Sequence, residues 1–319
     1  MDASHLEGYV RYLASDELKG RQTPSPELDK AADFIAGEFK KAGLQPVAGS
    51  YFQEATYTLR SRGAATPATP PTPAKVRNVI AVLPGSDPVL GQTYVVLSSH
   101  YDHLGMKAQG EGDLIFNGAN DNASGTAGVM ELASVLKNSH PKRSILFICF
   151  YGEEKGLVGS RYFVKNPLVP LKQIDANVNL EQIGRVDGDG GTKKDMFNLT
   201  GFGFTDMATY LAQGCNAAGI KEIEDKQFGD PYFRASDNAA FAAAGVPAHT
   251  ISVTYEFPDY HAVGDEWSKL DYANMAKVVK AIGLGTLAIA NSANAVKWDE
   301  SNPKTARFVE AWKKLQGSS

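Results

Sequence analysis

Tyr94-Val95-Val96-Leu97-Ser98-Ser99-His100-Tyr101-Asp102-His103 decides how this chain folds. An apolar run passes directly into a knot of two histidines and an acid. Runs that do not alternate belong to strands covered on both faces. Val79-Ile80-Ala81-Val82-Leu83 and Ile145-Leu146-Phe147-Ile148-Cys149-Phe150 read the same way. Helical spacing falls at 126–137, with Val129, Leu132, Ala133 and Leu136 on one predicted buried face, and at 158–164. A strand is predicted at 176–180 and helices at 205–218, 236–244 and 272–291. Another strand follows at 249–254. The alternation predicts an α/β protein, a three-layer α/β/α sandwich around a mixed, largely parallel central sheet.

Polar residues gather where these strands end. The first run leads to His100, the third to Glu153-Glu154, the strand at 176–180 to Glu181, and the last to Tyr260-His261. Ligands of open α/β sheets bind beyond the carboxyl ends of the strands, so four such ends predict one crevice. Gly118-Ala119-Asn120-Asp121-Asn122-Ala123-Ser124-Gly125 adds a carboxylate in a turn of small residues. Asp121 reads either as a helix cap or as a carboxylate bridging two metal ions. The neighbouring clusters favour the second.

His100, Asp121, Glu154, Glu181 and His261 together offer two imidazoles, three carboxylates and no thiolate. This donor set suits a pair of zinc ions, with cobalt or manganese as substitutes. Two-metal hydrolytic sites place their ions roughly 3.5–4 Å apart. Glu153 stands beside a ligand and reads as a proton carrier; the plainer alternative is a solvated pair of glutamates. Asp102 is placed to orient a metal-bound histidine, and Asp265 less firmly to serve His261. His103 reads as a supporting residue or a first-turn cap, and His249 as structural. Asp187-Gly188-Asp189-Gly190-Gly191 lacks the downstream acid of a calcium loop and reads as a hairpin turn.

The remainder of the chain sets limits. A first helix is predicted at 5–18, a second at 27–42 and a strand at 51–59. The stretch 61–74, rich in Ala, Thr and Pro, reads as a linker. The net charge of −4, with no basic run, gives nucleic-acid binding no electrostatic support. No run is expected to reach membrane-spanning length, and Met1-Asp2-Ala3-Ser4-His5 has no apolar signal core. Cys149 and Cys215 read as small buried side chains, although pairing stays open. One catalytic domain, 1–319, is expected: a lead-in at 1–60, a loop at 61–75 and a core at 76–319.

His100-Tyr101-Asp102-His103-Leu104-Gly105, the Asn120–Gly125 turn, Glu153-Glu154-Lys155-Gly156-Leu157-Val158-Gly159-Ser160 and Tyr260-His261 resemble the motifs of a known family. The Ser236-Asp237 pair is a weaker match. The chain resembles the co-catalytic zinc aminopeptidases of the M twenty-eight metallopeptidase family. That resemblance implies Asp121 as the bridge, with His100, Glu154, Glu181 and His261 as the remaining ligands. Glu153 would be the general base and Tyr260 a hydrogen-bond donor to the oxyanion. The substrate would be a peptide with a free N-terminus, and family habit places the enzyme in the periplasm or outside the cell. Two positions depart from the pattern: Glu181 stands where Asp is usual, and Asn238 follows Ser236-Asp237 where His is frequent. Phe228, Tyr232, Phe233, Tyr255 and Phe257 are candidates for a side-chain pocket, and Arg234 for a substrate contact. The competing readings are a carboxypeptidase or a glutaminyl-cyclase-like enzyme on the same scaffold, or a receptor-like binding domain without catalysis.

Overall fold

The computed structural model describes residues 1–58 and 73–317. Its first helices are α1 (Ala3–Leu13) and α2 (Pro26–Lys41), followed by strands β1 (Gln45–Pro46), β2 (Phe52–Thr58), β3 (Pro73–Leu83) and β4 (Tyr94–His100). The short β5 (Gly105–Met106) and β6 (Ile115–Phe116) pair with each other, ahead of α3 (Gly125–Leu136), β7 (Ser144–Phe150), α4 (Val158–Lys165) and β8 (Ile174–Leu180). The chain closes with β9 (Met196–Leu199), α5 (Met207–Ala218), β10 (Lys221–Ile223), α6 (Asn238–Ala243), β11 (Ala248–Ser252), α7 (Tyr272–Asn291) and α8 (Ala306–Gln316).

One mixed sheet organises the molecule, in the order β1-β3-β7-β4-β8-β11-β9-β10, with β2 also paired to β3. Its centre, β7-β4-β8-β11, is parallel throughout. The carboxyl ends of these four strands therefore open on the same side. From β4 the chain steps to β7 on one side, then crosses to β8 on the other. The crevice above β4 is the topological switch point of the sheet.

The unbroken apolar runs are explained by two cores. Val95 and Leu97 of β4, with Ile145, Phe147 and Cys149 of β7, face α1, α2, α3, α5 and α7. Val96, Leu146, Ile148 and Phe150 point the other way, toward Phe163 of α4, Phe241 of α6 and Phe308 of α8. Successive strand side chains point to opposite faces, so a strand covered twice has no solvent face to mark with polar residues.

Several boundaries differ from expectation. α1 stops at Leu13, and a 3-10 turn takes over at Asp16. Pro73 and Ala74 belong to β3 instead of to a linker; residues 59–72 of the expected strand end and linker lie outside the described residues. α3 is buried over most of its circumference, not on one face, because β4, β7, α1, α2 and α7 surround it. α7 is, contrary to expectation, long and apolar enough to cross a membrane. Here it packs against α1 and α5 with most of its length buried. The Asp187–Gly191 loop joins β8 to β9, which do not pair, so it is not a hairpin turn. Asp189 pins it by accepting from the amides of Tyr255 and Glu256. Cys149 and Cys215 are both buried and free.

His249 is structural, as its position predicts. It is fully buried between Thr205 Oγ1 and the Thr200 carbonyl, 2.7 Å from each. Burial pushes its pKa down from 6.5 to about 4, outweighing the bond to Thr200. The unfolded chain takes up this proton at higher pH than the fold does. The contribution of His249 to stability is therefore whole above pH 6.5 and is lost as pH falls from there toward 4. A proton NMR titration of the folded protein should place the His249 midpoint near 4; a midpoint at or above 6.5 would contradict this packing.

Candidate metal centre

The site is built from the turn that carries Asp121. Gly118 opens it with φ +58°, and a Cβ there would meet the Asp121 carbonyl at 2.3 Å. Gly125 closes it, where a Cβ would lie 2.4 Å from both Asn122 Oδ1 and the Leu180 carbonyl. Both positions require the smallest residue. The polar side chains between them stitch this turn to the segment after β8. Asn122 donates to the Leu180 carbonyl at 2.9 Å and accepts from the Gln182 amide at 3.1 Å. Asn120 Oδ1 accepts from the amides of Gly184 and Arg185, each at 2.9 Å, and Ser124 Oγ from that of Ile183 at 3.0 Å. Asp121 and Glu181 are thus held by one hydrogen-bonded unit.

Two groups of side chains able to hold a metal ion share Asp121. His100, Asp121 and Glu181 form the first; His103, Asp121 and Glu154 form the second. His100 Nε2 lies 3.0 Å from Glu181 Oε1 and 3.4 Å from Asp121 Oδ1. His261 Nε2 approaches the second group from the cleft, 3.1 Å from Asp121 Oδ2 and 3.4 Å from Glu154 Oε2. All five ligands expected from the sequence come together, and His103 joins them. It is no helix cap: it follows β4 and is bridged to Gln22. The signal was present as a second histidine three residues after His100 at a strand end.

The side chains fit a metal better than they fit one another. His103 Nδ1 and Glu154 Oε1 are 2.9 Å apart, yet both atoms are buried without a hydrogen bond. Buried polar atoms rarely stay unpaired. Atoms that converge without bonding are arranged around a third body, and imidazole with carboxylate is a donor set that zinc accepts.

Supporting residues fix these ligands from behind. Asp102 is fully buried; its carbonyl lies 3.2 Å from His100 Nδ1, while its carboxylate accepts from the Glu153 amide and from Thr23 Oγ1, each at 3.0 Å. Asp265 serves the aspartate turn, not His261: its carboxylate accepts from the amides of Asn120 and Asp121 at 2.9–3.0 Å. Glu181, one methylene longer than aspartate, spends its second oxygen on Ser236 Oγ at 2.6 Å. Asn238 is buried and bonds to Phe233 and Thr250, so it does not form part of the crevice wall.

Charge is divided unevenly among the acids. Burial would raise the Asp121 carboxyl, but hydrogen bonds from His100 and His261 hold it well below the usual range. Glu153 goes the other way: burial lifts it well above its ordinary value, His100 opposes, and Glu181, Asp237 and Glu154 add to the rise. The His261 imidazole is pushed up to about 10 by its bonds to Asp121 and Glu154.

A cleft of about 450 Å³ leads to Asp121, Glu153 and Glu181 and is walled by Tyr232, Tyr255, Thr200 and Thr250. Tyr260 stands at its mouth, stacked on His261 with ring centres 4.0 Å apart. Phe228 lies against the rings of Tyr232 and Tyr255 and lines a separate hollow, as does Phe257. Phe233 is in the core. Arg234 borders a wider cleft on the other side of Glu153.

The model of peptidase family M28 matches residues 78–284, a span that holds every metal-ligating residue named above. This chain belongs to peptidase family M28. A probable zinc metalloprotease of Pyrenophora tritici-repentis is 28% identical over 271 residues, covering 83% of this chain and 54% of that protein. The uncharacterised protein YfbL of Escherichia coli is 24% identical, over 87% of this chain and 85% of its own length. The chain spans only 54–60% of three fungal probable zinc metalloproteases it matches. Among solved structures, an aminopeptidase from Aneurinibacillus sp. strain AM-1 superimposes with a TM-score of 0.66 at 16% identity, over 94% of this chain and 97% of that one. A glutaminyl cyclase of Fimbriiglobus ruber does so with a TM-score of 0.69 at 19% identity, over 90% and 95%. These two likenesses establish the α/β fold of this zinc metallopeptidase family member and nothing finer.

Arg21 escaped the sequence reading. It is fully buried and donates to the carbonyls of Leu13, Tyr101, Asn117 and Gly118. Arg21→Met removes every one of those donors. Urea unfolding should show a loss of at least about 3 kcal/mol, the scale for breaking a buried charge network. A loss below about 1 kcal/mol, the worth of one ordinary hydrogen bond, would show that the network is dispensable.

Proposed function

We propose that this chain is a zinc-dependent aminopeptidase holding two zinc ions, and that 1–319 acts as one catalytic domain. The observation that carries this reading is the pair of ligand groups sharing Asp121. His100 and Glu181 would hold one ion with Asp121; Glu154 and His261 would hold the other, with His103, grouped with Asp121 and Glu154, as a further donor to it. Zinc bound there supplies Lewis acidity toward a peptide carbonyl and toward water.

The chain's own residues account for the rest. Asp121, Glu153 and Glu181 make the narrower cleft acidic at its inner end, which suits the α-ammonium group of a peptide. The first side chain then lies against the contacting rings of Tyr232 and Tyr255, whose centres are 5.2 Å apart. Glu153 faces both clefts, and its amide is fixed by Asp102. Its carboxylate takes a proton from the attacking water and delivers it to the departing amine nitrogen. The raised proton affinity of Glu153 brings it closer to neutral pH, where a general base works best. Burial and the surrounding acids raise the Tyr260 phenol, which therefore keeps its proton and donates it in a hydrogen bond to the oxyanion.

Glu153→Gln should keep a normal zinc content while turnover falls by about 10²–10⁴; near-normal turnover would remove Glu153 from this role. Zinc-loaded protein should release p-nitroaniline from leucine p-nitroanilide and leave the N-acetylated compound intact. Cleavage of the acetylated compound would overturn the exopeptidase reading. Zinc analysis should find two ions per chain, and His261→Ala should weaken retention of the second at least about tenfold.

A further inference from the structure

We propose that the wider cleft is a carboxylate-binding subsite for the leaving part of the substrate. The inference rests on the aminopeptidase reading and extends it to a substrate class. This cleft, about 1960 Å³, meets the narrower one at Glu153, Tyr260 and His261. Three cations stand on its walls: Lys155, Arg161 and Arg234. Among the described residues the acids lining it are Glu153 and Glu154, which belong to the candidate metal centre.

The cations come from two elements already tied to the site. Lys155 and Arg161 follow directly from Glu154, through the loop into α4. Arg234 ends a short turn at Pro231–Arg234, two residues before Ser236, which bonds Glu181. Elsewhere on the surface Lys277 pairs with Asp195 and Lys313 with Glu300. Among the described residues, Lys155, Arg161 and Arg234 have no acid within ion-pair distance. The cationic wall adjoins the metal centre at Glu153, Tyr260 and His261. A peptide entering with its ammonium group at Asp121, Glu153 and Glu181 places its leaving part along the cationic wall. A carboxylate there meets guanidinium groups that bind it through paired N–H donors.

That carboxylate has two possible carriers, the C-terminus of a dipeptide or an acidic side chain after the scissile bond. Three peptides separate them: X-Ala, X-Ala-amide and X-Glu-Ala-amide, with X as leucine, phenylalanine, glutamine and alanine in turn. Zinc-loaded wild-type protein should show kcat/KM higher by about tenfold or more for a carboxylate-bearing peptide than for X-Ala-amide, as expected for hydrogen bonds to a charged group. A preference for X-Ala identifies the terminal carboxylate, and a preference for X-Glu-Ala-amide the side chain. In Arg161→Gln/Arg234→Gln protein the preference should shrink toward parity, and in wild type it should weaken as salt is raised. Equal rates on all three peptides, or a preference unchanged in the double variant, would overturn the subsite while leaving the aminopeptidase intact. No release of X from any peptide would overturn the aminopeptidase reading itself, and the subsite with it.

Discussion

The buried guanidinium of Arg21 is the constraint on which the centre depends. It reaches the end of α1 at Leu13, the residue after His100, and the two residues that lead into the Asp121 turn. One side chain thus joins the N-terminal helix to two of the segments that carry candidate ligands. Burial lowers its pKa to about 10, opposed by Asp102, Asp265, Asp121 and Glu154. It therefore keeps its charge at neutral pH. A cation is expensive to bury unless acids and acceptors surround it, and here both do. The same cation makes the nearby cluster of carboxylates tolerable.

Around Arg21 the loops are cross-linked more by backbone amides than by apolar contact. Asn120 Oδ1, Asn122, Ser124 Oγ and the Asp265 carboxylate all bond to main-chain groups. Each such bond contributes only about 1 kcal/mol to stability. Their larger effect is positional. They fix where Asp121 and Glu181 lie relative to the strand ends, and a metal centre tolerates little error in ligand placement.

The acids themselves remain out of balance. Asp237 is fully buried with both carboxylate oxygens unpartnered, and burial pushes its pKa up to about 7. Glu153 and Glu181 are raised as well, while Asp121 is lowered by its histidines. A fold that concentrates carboxylates in this way needs positive charge at their focus. Arg21 supplies part of it, and divalent metal is the natural complement.

The sequence by itself determined the layer architecture, the strand ends and the identity of five side chains that converge. Apolar runs and the residues that terminate them are local properties, set by side-chain period and polarity. Asp102 was legible for the same reason, being two residues from a ligand. Only the tertiary structure decided the rest. His103 stands three residues after His100 in the sequence, but only the fold brings its Nδ1 to 2.9 Å from Glu154 Oε1. Asp265 turned out to serve Asp121, 144 residues away, instead of its neighbour His261. Phe228 and Phe257 left the pocket, and Arg161 and Lys155 joined Arg234 on one wall. Arg21 carried no signal in the sequence and is fully buried in the fold. Its role depends on carbonyls from three distant segments, and such a coincidence exists only once the chain has folded.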